Sequence, residues 1–314
     1  MIKTEDLGKK FNDFWAVDGV TLSVQAGQIL ALLGQNGAGK TTTVRLLTAL
    51  LRPTRGRALV AGYDVACQER QVRQSVGVLT EQHGLYVRMT AVEYLDFFGR
   101  LHRLEQPARR RRIDQLLEYF GLQAVAAQRI GEYSKGMKQK LALARALIHE
   151  PPILLLDEPT SAMDPESARL VRDEIALLRS ENRTIVICTH NLAEAEALAD
   201  IVVIIFRGRV LIRGSLEGLK SEVLGAPEYE ARFSEPWSAE GLRLPEGVSI
   251  AYRDDTVLRL RIASPSGSNP VLLRALASMG APLIAFQEVA RTLEQVYLKV
   301  MERAGPAAAA LQNA

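Results

Sequence analysis

The chain has 314 residues, 47% hydrophobic and 24% charged, which are the proportions of a globular protein with room for one large and one smaller domain. A net charge of +3 gives no expectation of a nucleic-acid partner, and two distant cysteines, Cys67 and Cys188, exclude a disulfide framework. The opening MIKTEDLGKKF lacks the apolar core of a secretory signal, and the apolar runs are strand-length rather than membrane-length, so a cytoplasmic chain is expected.

Residues 1 to about 220 alternate strands with helices in the manner of an α/β domain with a largely parallel sheet. The strand QILALLG (28–34) runs into Gly34-Gln35-Asn36-Gly37-Ala38-Gly39-Lys40-Thr41, which opens the helix TTTVRLLTALL. This is the GxxxxGK[ST] pattern. Its glycines let consecutive N–H groups converge on phosphate oxygens, Lys40 can reach the β- and γ-phosphates of ATP, and the Thr41 hydroxyl can ligate Mg²⁺. Residues 91–149 read as a mostly helical insert. Within it QPARRRRIDQLLEYF places four arginines, 109–112, near a helix start, where cations oppose the helix dipole; a solvated face is the expected use. EYSKGMKQK (132–140) then turns into the helix KQKLALARALI, a second point where N–H groups and a hydroxyl face an anion. The strand ILLLDE (153–158) delivers Asp157 to a Mg²⁺ ion and sets Glu158 where it can orient or deprotonate an attacking water. A helix is predicted over 165–180, and further strands at TIVICT (184–189) and DIVVIIF (200–206).

After about residue 222 the character changes. VSIAYRD, TVLRLRIA and PLIAFQEV read as short strands, with helices near 270–279 and 292–303. A small α+β domain over 222–304 is predicted. Its last helix carries Leu293, Val296, Tyr297 and Val300 at i, i+3, i+4 and i+7, an apolar stripe that must bury against something. The alanine-rich tail, 305–314, is expected to be disordered.

GQNGAGKTT, YSKGMKQ, ILLLDEPTSAMD and the TH of IVICTH, in this order, resemble the ATPase subunits of ATP-binding-cassette (ABC) transporters over about residues 2–220. The resemblance implies a P-loop NTPase domain over 1–221 with a helical subdomain, Thr42 as a further phosphate-binding residue, and His190 as the residue contacting the γ-phosphate beside Glu158. It implies that Phe11 stacks on adenine, with Phe14 and Trp15 close enough to compete. It gives Ser134 and Gly136 the role of the family's signature motif, usually LSGGQ, which binds the γ-phosphate of an ATP held by a second subunit. Here Lys135 stands where Gly is usual and Met137 where Gln is usual. The loop from Ser161 to Asp164 matches one that touches the opposite subunit. In VGVLTEQHGLY either Glu81 or Gln82 can supply the Mg²⁺- and water-sensing position, with the spacing favouring Glu81. The implied function is ATP hydrolysis in a homodimer on the cytoplasmic side of the membrane, driving transport through a separate permease. YSKGM, LTEQHGLY and TLEQVYLKV are most similar to bacterial exporters of the drug-resistance and sodium-efflux type. A non-transport ABC ATPase acting on DNA or ribosomes would carry tandem cassettes, zinc-binding cysteines or long coiled coils. A sensor without turnover would not need Lys40, Asp157, Glu158 and His190 together.

Overall fold

Apolar strands with no polar face must be buried on both sides, and the strands around the P-loop obey that rule. The computed structural model describes residues 1–80, 84–161, 163–180 and 183–310, in two units, 1–216 and 217–314. In the first, β1 (Ile2–Phe11), β2 (Phe14–Val20) and β3 (Ser23–Val24) precede β4 (Ile29–Leu33), which leads into α1 (Lys40–Leu47). β5 (Arg55–Val60), β6 (Tyr63–Asp64), α2 (Glu69–Ser75) and β7 (Val76–Leu79) follow, and then the helices α3 (Ala91–Leu101), α4 (Gln106–Tyr119) and α5 (Lys135–Leu147). β8 (Ile153–Asp157), α6 (Pro165–Ser180), β9 (Thr184–Thr189), α7 (Leu192–Leu198), β10 (Ile201–Phe206) and β11 (Arg209–Gly214) complete it.

The main sheet has the order β11-β10-β4-β9-β8-β7, parallel from β10 to β7. Alternation sends Leu30, Leu32, Ile153, Leu155 and Val186 to one face, under β1, β2, β5 and α1. Ile29, Leu154, Leu156, Ile185 and Ile187 face the other way, into a core shared with α3 to α6. Because β4 and β8 both flank β9, their carboxyl ends lie side by side: Leu33 pairs with Thr189, and Asp157 with Cys188. An open α/β sheet binds its ligands at such a rim.

A separate antiparallel sheet, β2-β1-β5-β6 with β3 on β1, was not legible in the sequence. β1 is rich in charge, turns through Asp6 at φ 47° and slips register between Leu7 and Lys9, so no clean period-two pattern survives.

Two of the four arginines are structural. Arg109 is buried, donating to Asp96 Oδ1 at 2.6 Å and to the Leu104 carbonyl at 2.7 Å. Its aliphatic stem crosses α3 at Gly99, where an added Cβ would lie 2.5 Å from Arg109 Cδ. Arg112 donates to the Leu147 carbonyl at 3.0 Å. Only Arg110 and Arg111 keep the solvated setting expected of the whole run.

In the second unit α8 (Leu216–Leu224) leads to β12 (Glu228–Phe233), β13 (Val248–Arg253), β14 (Val257–Ile262), α9 (Pro265–Ser278), β15 (Leu283–Glu288) and α10 (Leu293–Ala310). The sheet is antiparallel, ordered β13-β14-β12-β15, and buries Ala231, Phe233, Leu258, Leu260 and Ile262 against Leu272 and Leu276 of α9. Leu293, Val296 and Val300 of the α10 stripe are buried, with Tyr297 half-buried. The helix continues through residues 305–310 of the segment expected to be disordered, as its alanines favour.

Candidate functional site

The turn after β4 places the P-loop at the rim where Asp157, Glu158 and His190 also emerge. Gly39 adopts φ 108°, and a Cβ there would meet the Ala16 carbonyl oxygen at 2.5 Å, so both conformation and packing demand glycine. Gln35, Asn36, Gly37, Gly39, Lys40, Thr41 and Thr42 line a cleft of about 320 Å³ together with Phe14, Ala16 and Glu158. Gly34 and Ala38 lie behind this lining; Ala38 is buried, and Gly34 offers its carbonyl to Lys40.

Lys40 is 5% exposed, and its ammonium donates to Gly34 O at 2.6 Å and Gln35 O at 3.3 Å. It also stands 3.3 Å from Glu158 Oε1, while Glu158 Oε2 is 2.8 Å from His190 Nδ1. One carboxylate therefore bridges the P-loop lysine and the histidine after β9. Glu158 holds φ 52°, in the left-handed region that a glutamate seldom adopts, with its N–H bonded to Cys188 O at 2.8 Å. Cys188 is fully buried beneath this rim, and burial raises its thiol pKa well above the usual value, so it stays protonated.

Asp157 and Thr41 share an adjoining recess of about 400 Å³. Their hard oxygen donors fit Mg²⁺, which keeps several waters and needs few protein ligands. Among the described residues no group of three or more His, Cys, Asp or Glu could hold a metal ion. Glu81 and Gln82, the expected sensing position, lie outside the described residues.

Of the three aromatic candidates, Phe14 lines the cleft. Phe11 is not among the lining residues and has Lys9 Nζ 5.4 Å from its ring centroid, and Trp15 stacks with Arg55 at 5.0 Å. The turn between β1 and β2 decides which ring faces the P-loop, and sequence spacing carries no trace of that choice.

Ser134 is the N-cap of α5, its hydroxyl accepting from Met137 N at 3.2 Å. Met137, one of the two departures from the usual motif, packs against the helical core, and Lys135, the other, is exposed. Neither Ser134 nor Gly136 lines the P-loop cleft. Among the buried polar residues that escaped the sequence reading are Gln139 on α5 and Glu194 on α7. Their only trace there is a polar residue on an otherwise apolar helix face.

A P-loop facing a magnesium-type aspartate, a bridging glutamate and a histidine defines a nucleotide hydrolase. The family model for ABC transporters matches residues 17–161. The chain is 43% identical to the ABC transporter ATP-binding protein NatA of Bacillus subtilis, over 70% of this chain and 91% of the relative. It is 36% identical to the daunorubicin/doxorubicin resistance ATP-binding protein DrrA of Streptomyces peucetius, over 95% of this chain and 91% of that one. A solved ATP-binding subunit of an ABC transporter superimposes with a TM-score of 0.65 at 30% identity, covering 72% of this chain and 94% of its own. The dimeric bacterial ABC transporter cassette MJ0796 gives 0.63 at 25% identity, covering 69% and 99%. The chain belongs to the ABC transporter family. It is an ATP-binding subunit with ATPase activity, and its relatives include drug-resistance and export proteins. No helix among the described residues is long and apolar enough to cross a membrane.

Proposed function

We propose that two copies of this chain close on two ATP molecules, each held in the P-loop of one copy and covered by the Ser134–Gly136 end of α5 from the other, and so power export through a separate membrane permease. The observation that carries the reading is the separation of two anion cradles. Lys40 and Glu158 line one cleft, with His190 bonded to the Glu158 carboxylate, while the α5 terminus is absent from its lining. A positive helix end with a capping hydroxyl, set away from its own nucleotide, suits the phosphate of another copy.

Within one site, the P-loop N–H groups and Lys40 bind and orient the phosphates, and Phe14 stacks on the base. Phosphate charge at Lys40 would compete with Glu158 for the ammonium and leave the carboxylate, with His190, free to hold the proton side of the attacking water. Thr41 and Asp157 would hold Mg²⁺, which when bound neutralises charge between the β- and γ-phosphates. The exposed aromatic surface formed by Tyr86, Phe97 and neighbouring Leu101 supports a protein partner, for which a permease is the proposal.

Mixing variants tests the arrangement. Ser134→Arg alone should abolish hydrolysis while the monomer keeps its ATP affinity within about twofold, since no monomer contact is lost. Lys40→Ala should lose phosphate affinity. Mixed together, they should recover turnover at the one composite site built from an intact Lys40 and an intact Ser134. Loss of ATP binding by monomeric Ser134→Arg would place the second cradle in the same chain's site and overturn the reading.

A further inference from the structure

Glu158 occupies a left-handed backbone conformation, which costs a non-glycine residue on the order of 1 kcal/mol and persists only where its surroundings enforce it. Besides the bond from its own N–H to Cys188 O, two buried polar side chains hold the next two residues. Gln139, 3% exposed, donates its side-chain amide to the Pro159 carbonyl. The Thr160 hydroxyl donates to Glu194 Oε1 at 2.9 Å, and Glu194 is fully buried on α7. The α7 clamp joins the Glu158 turn to the helix that follows His190. The α5 clamp joins it to the helix that Ser134 caps, five residues away, or about 7.5 Å along a rigid rod.

Resting on the trans arrangement above, we propose that Gln139 is a positioning residue that couples the two nucleotide sites: seating the partner copy's ATP on the Ser134 end of α5 sets, through the Gln139–Pro159 bond, the place of this chain's own Glu158. Gln139 does not line the nucleotide cleft, and its bond to Pro159 is its link to the Glu158 turn. A hydrogen bond weakens within a few tenths of an ångström, and about 1 Å of misplacement of a catalytic group costs about 10²-fold in rate. Small shifts of α5 are therefore enough to switch the carboxylate in or out of register, and each copy hydrolyses efficiently only when it also covers its neighbour's ATP.

Gln139→Met keeps the side chain's length and removes the donor. In the full-length chain it should lower kcat about tenfold, with the monomer's ATP affinity unchanged within about twofold. In a Glu158→Gln background the same substitution should leave the residual rate within about twofold, because the loss runs through Glu158. Gln139→Glu supplies a second readout: its buried carboxyl has a raised pKa, and its protonated form donates again to Pro159, so turnover should recover relative to wild type as pH falls from 8 to 6. A kcat within twofold of wild type for Gln139→Met beside a hydrolysis-dead Ser134→Arg would overturn the Gln139 link alone. Equal losses in both backgrounds, or no acid recovery of Gln139→Glu, would also overturn it, since a general packing role predicts them. Loss of monomer ATP binding in Ser134→Arg would instead sink the trans arrangement, and the coupling with it.

Discussion

Glu158 in the first unit and Glu230 in the second are both buried acids facing cations, and the contrast between them separates the carboxylate proposed for catalysis from a structural one. Glu230 sits in mid-strand, saturated by Arg232 and Arg259 at 2.6 Å each, and those arginines hold its carboxyl below the usual glutamate range. Glu158 sits past a strand end, in a left-handed conformation, with Lys40 at 3.3 Å and a half-exposed His190 at 2.8 Å. Its partners are ones that an incoming phosphate can compete for; those of Glu230 are tied into the sheet. Burial and opposite charge alone therefore do not mark an active acid. Placement at the rim of a parallel sheet and a left-handed backbone set Glu158 apart and support the role proposed for it.

Identical substitutions at the two acids give the largest expected contrast. Glu158→Gln should lower ATP turnover on the order of 10²–10³-fold while preserving ATP affinity, and should accumulate as an ATP-bound dimer on gel filtration. Glu230→Gln should leave turnover unchanged and cost the second unit about 1 kcal/mol in denaturant unfolding, its arginine partners being half exposed. Unchanged steady-state turnover in Glu158→Gln would erase the distinction.

Acid should loosen the two units in different pH windows. His149 stacks on His102 with ring centroids 3.7 Å apart, and burial lowers its pKa from 6.5 to about 4. Its neutral folded form is matched by a neutral unfolded form at pH 7. As pH falls below 6.5 only the unfolded chain takes up the proton, so stability drops, by on the order of 2 kcal/mol at pH 5. The depressed carboxyl of Glu230 acts in the same direction but in a lower window: its contribution is full above the ordinary glutamate pKa and disappears only as pH falls below about 4.5. Segment-resolved hydrogen exchange at pH 7 and 5 should show faster opening around α5, and His149→Gln should flatten that response. Equal loosening of both units at pH 5 would count against it.

The smallest effect concerns the cleft wall. Phe14→Ala should weaken ATP binding about tenfold, the worth of one stacked ring, whereas Phe11→Ala should change it less than twofold. The reverse ranking, read by nucleotide titration, would return the adenine platform to Phe11.

Local pattern carried the P-loop, ILLLDE, TIVICT and the helices around them, because two-face burial and a glycine-rich strand–helix turn both leave their mark within a few residues of sequence. It was silent on β1 to β3, where a left-handed Asp6 and a register slip break the alternation. It was equally silent on Arg109, whose burial needs Asp96 and the gap at Gly99 on another helix.

The amino-acid sequence by itself determined the chemistry: which residues can cradle phosphate, hold a hard cation and orient water, since each of those needs particular atoms at a particular spacing along one strand–turn–helix unit. Only the tertiary structure decided which of those atoms meet. The strand order brings Lys40, Glu158 and His190, residues far apart in the chain, to one carboxylate. It turns Phe14 rather than Phe11 to the cleft and ties α5 to the Glu158 turn through Gln139. Contacts between distant segments depend on register and helix placement, which are set by the packing of the whole core and leave no periodic signal in the segments that make them.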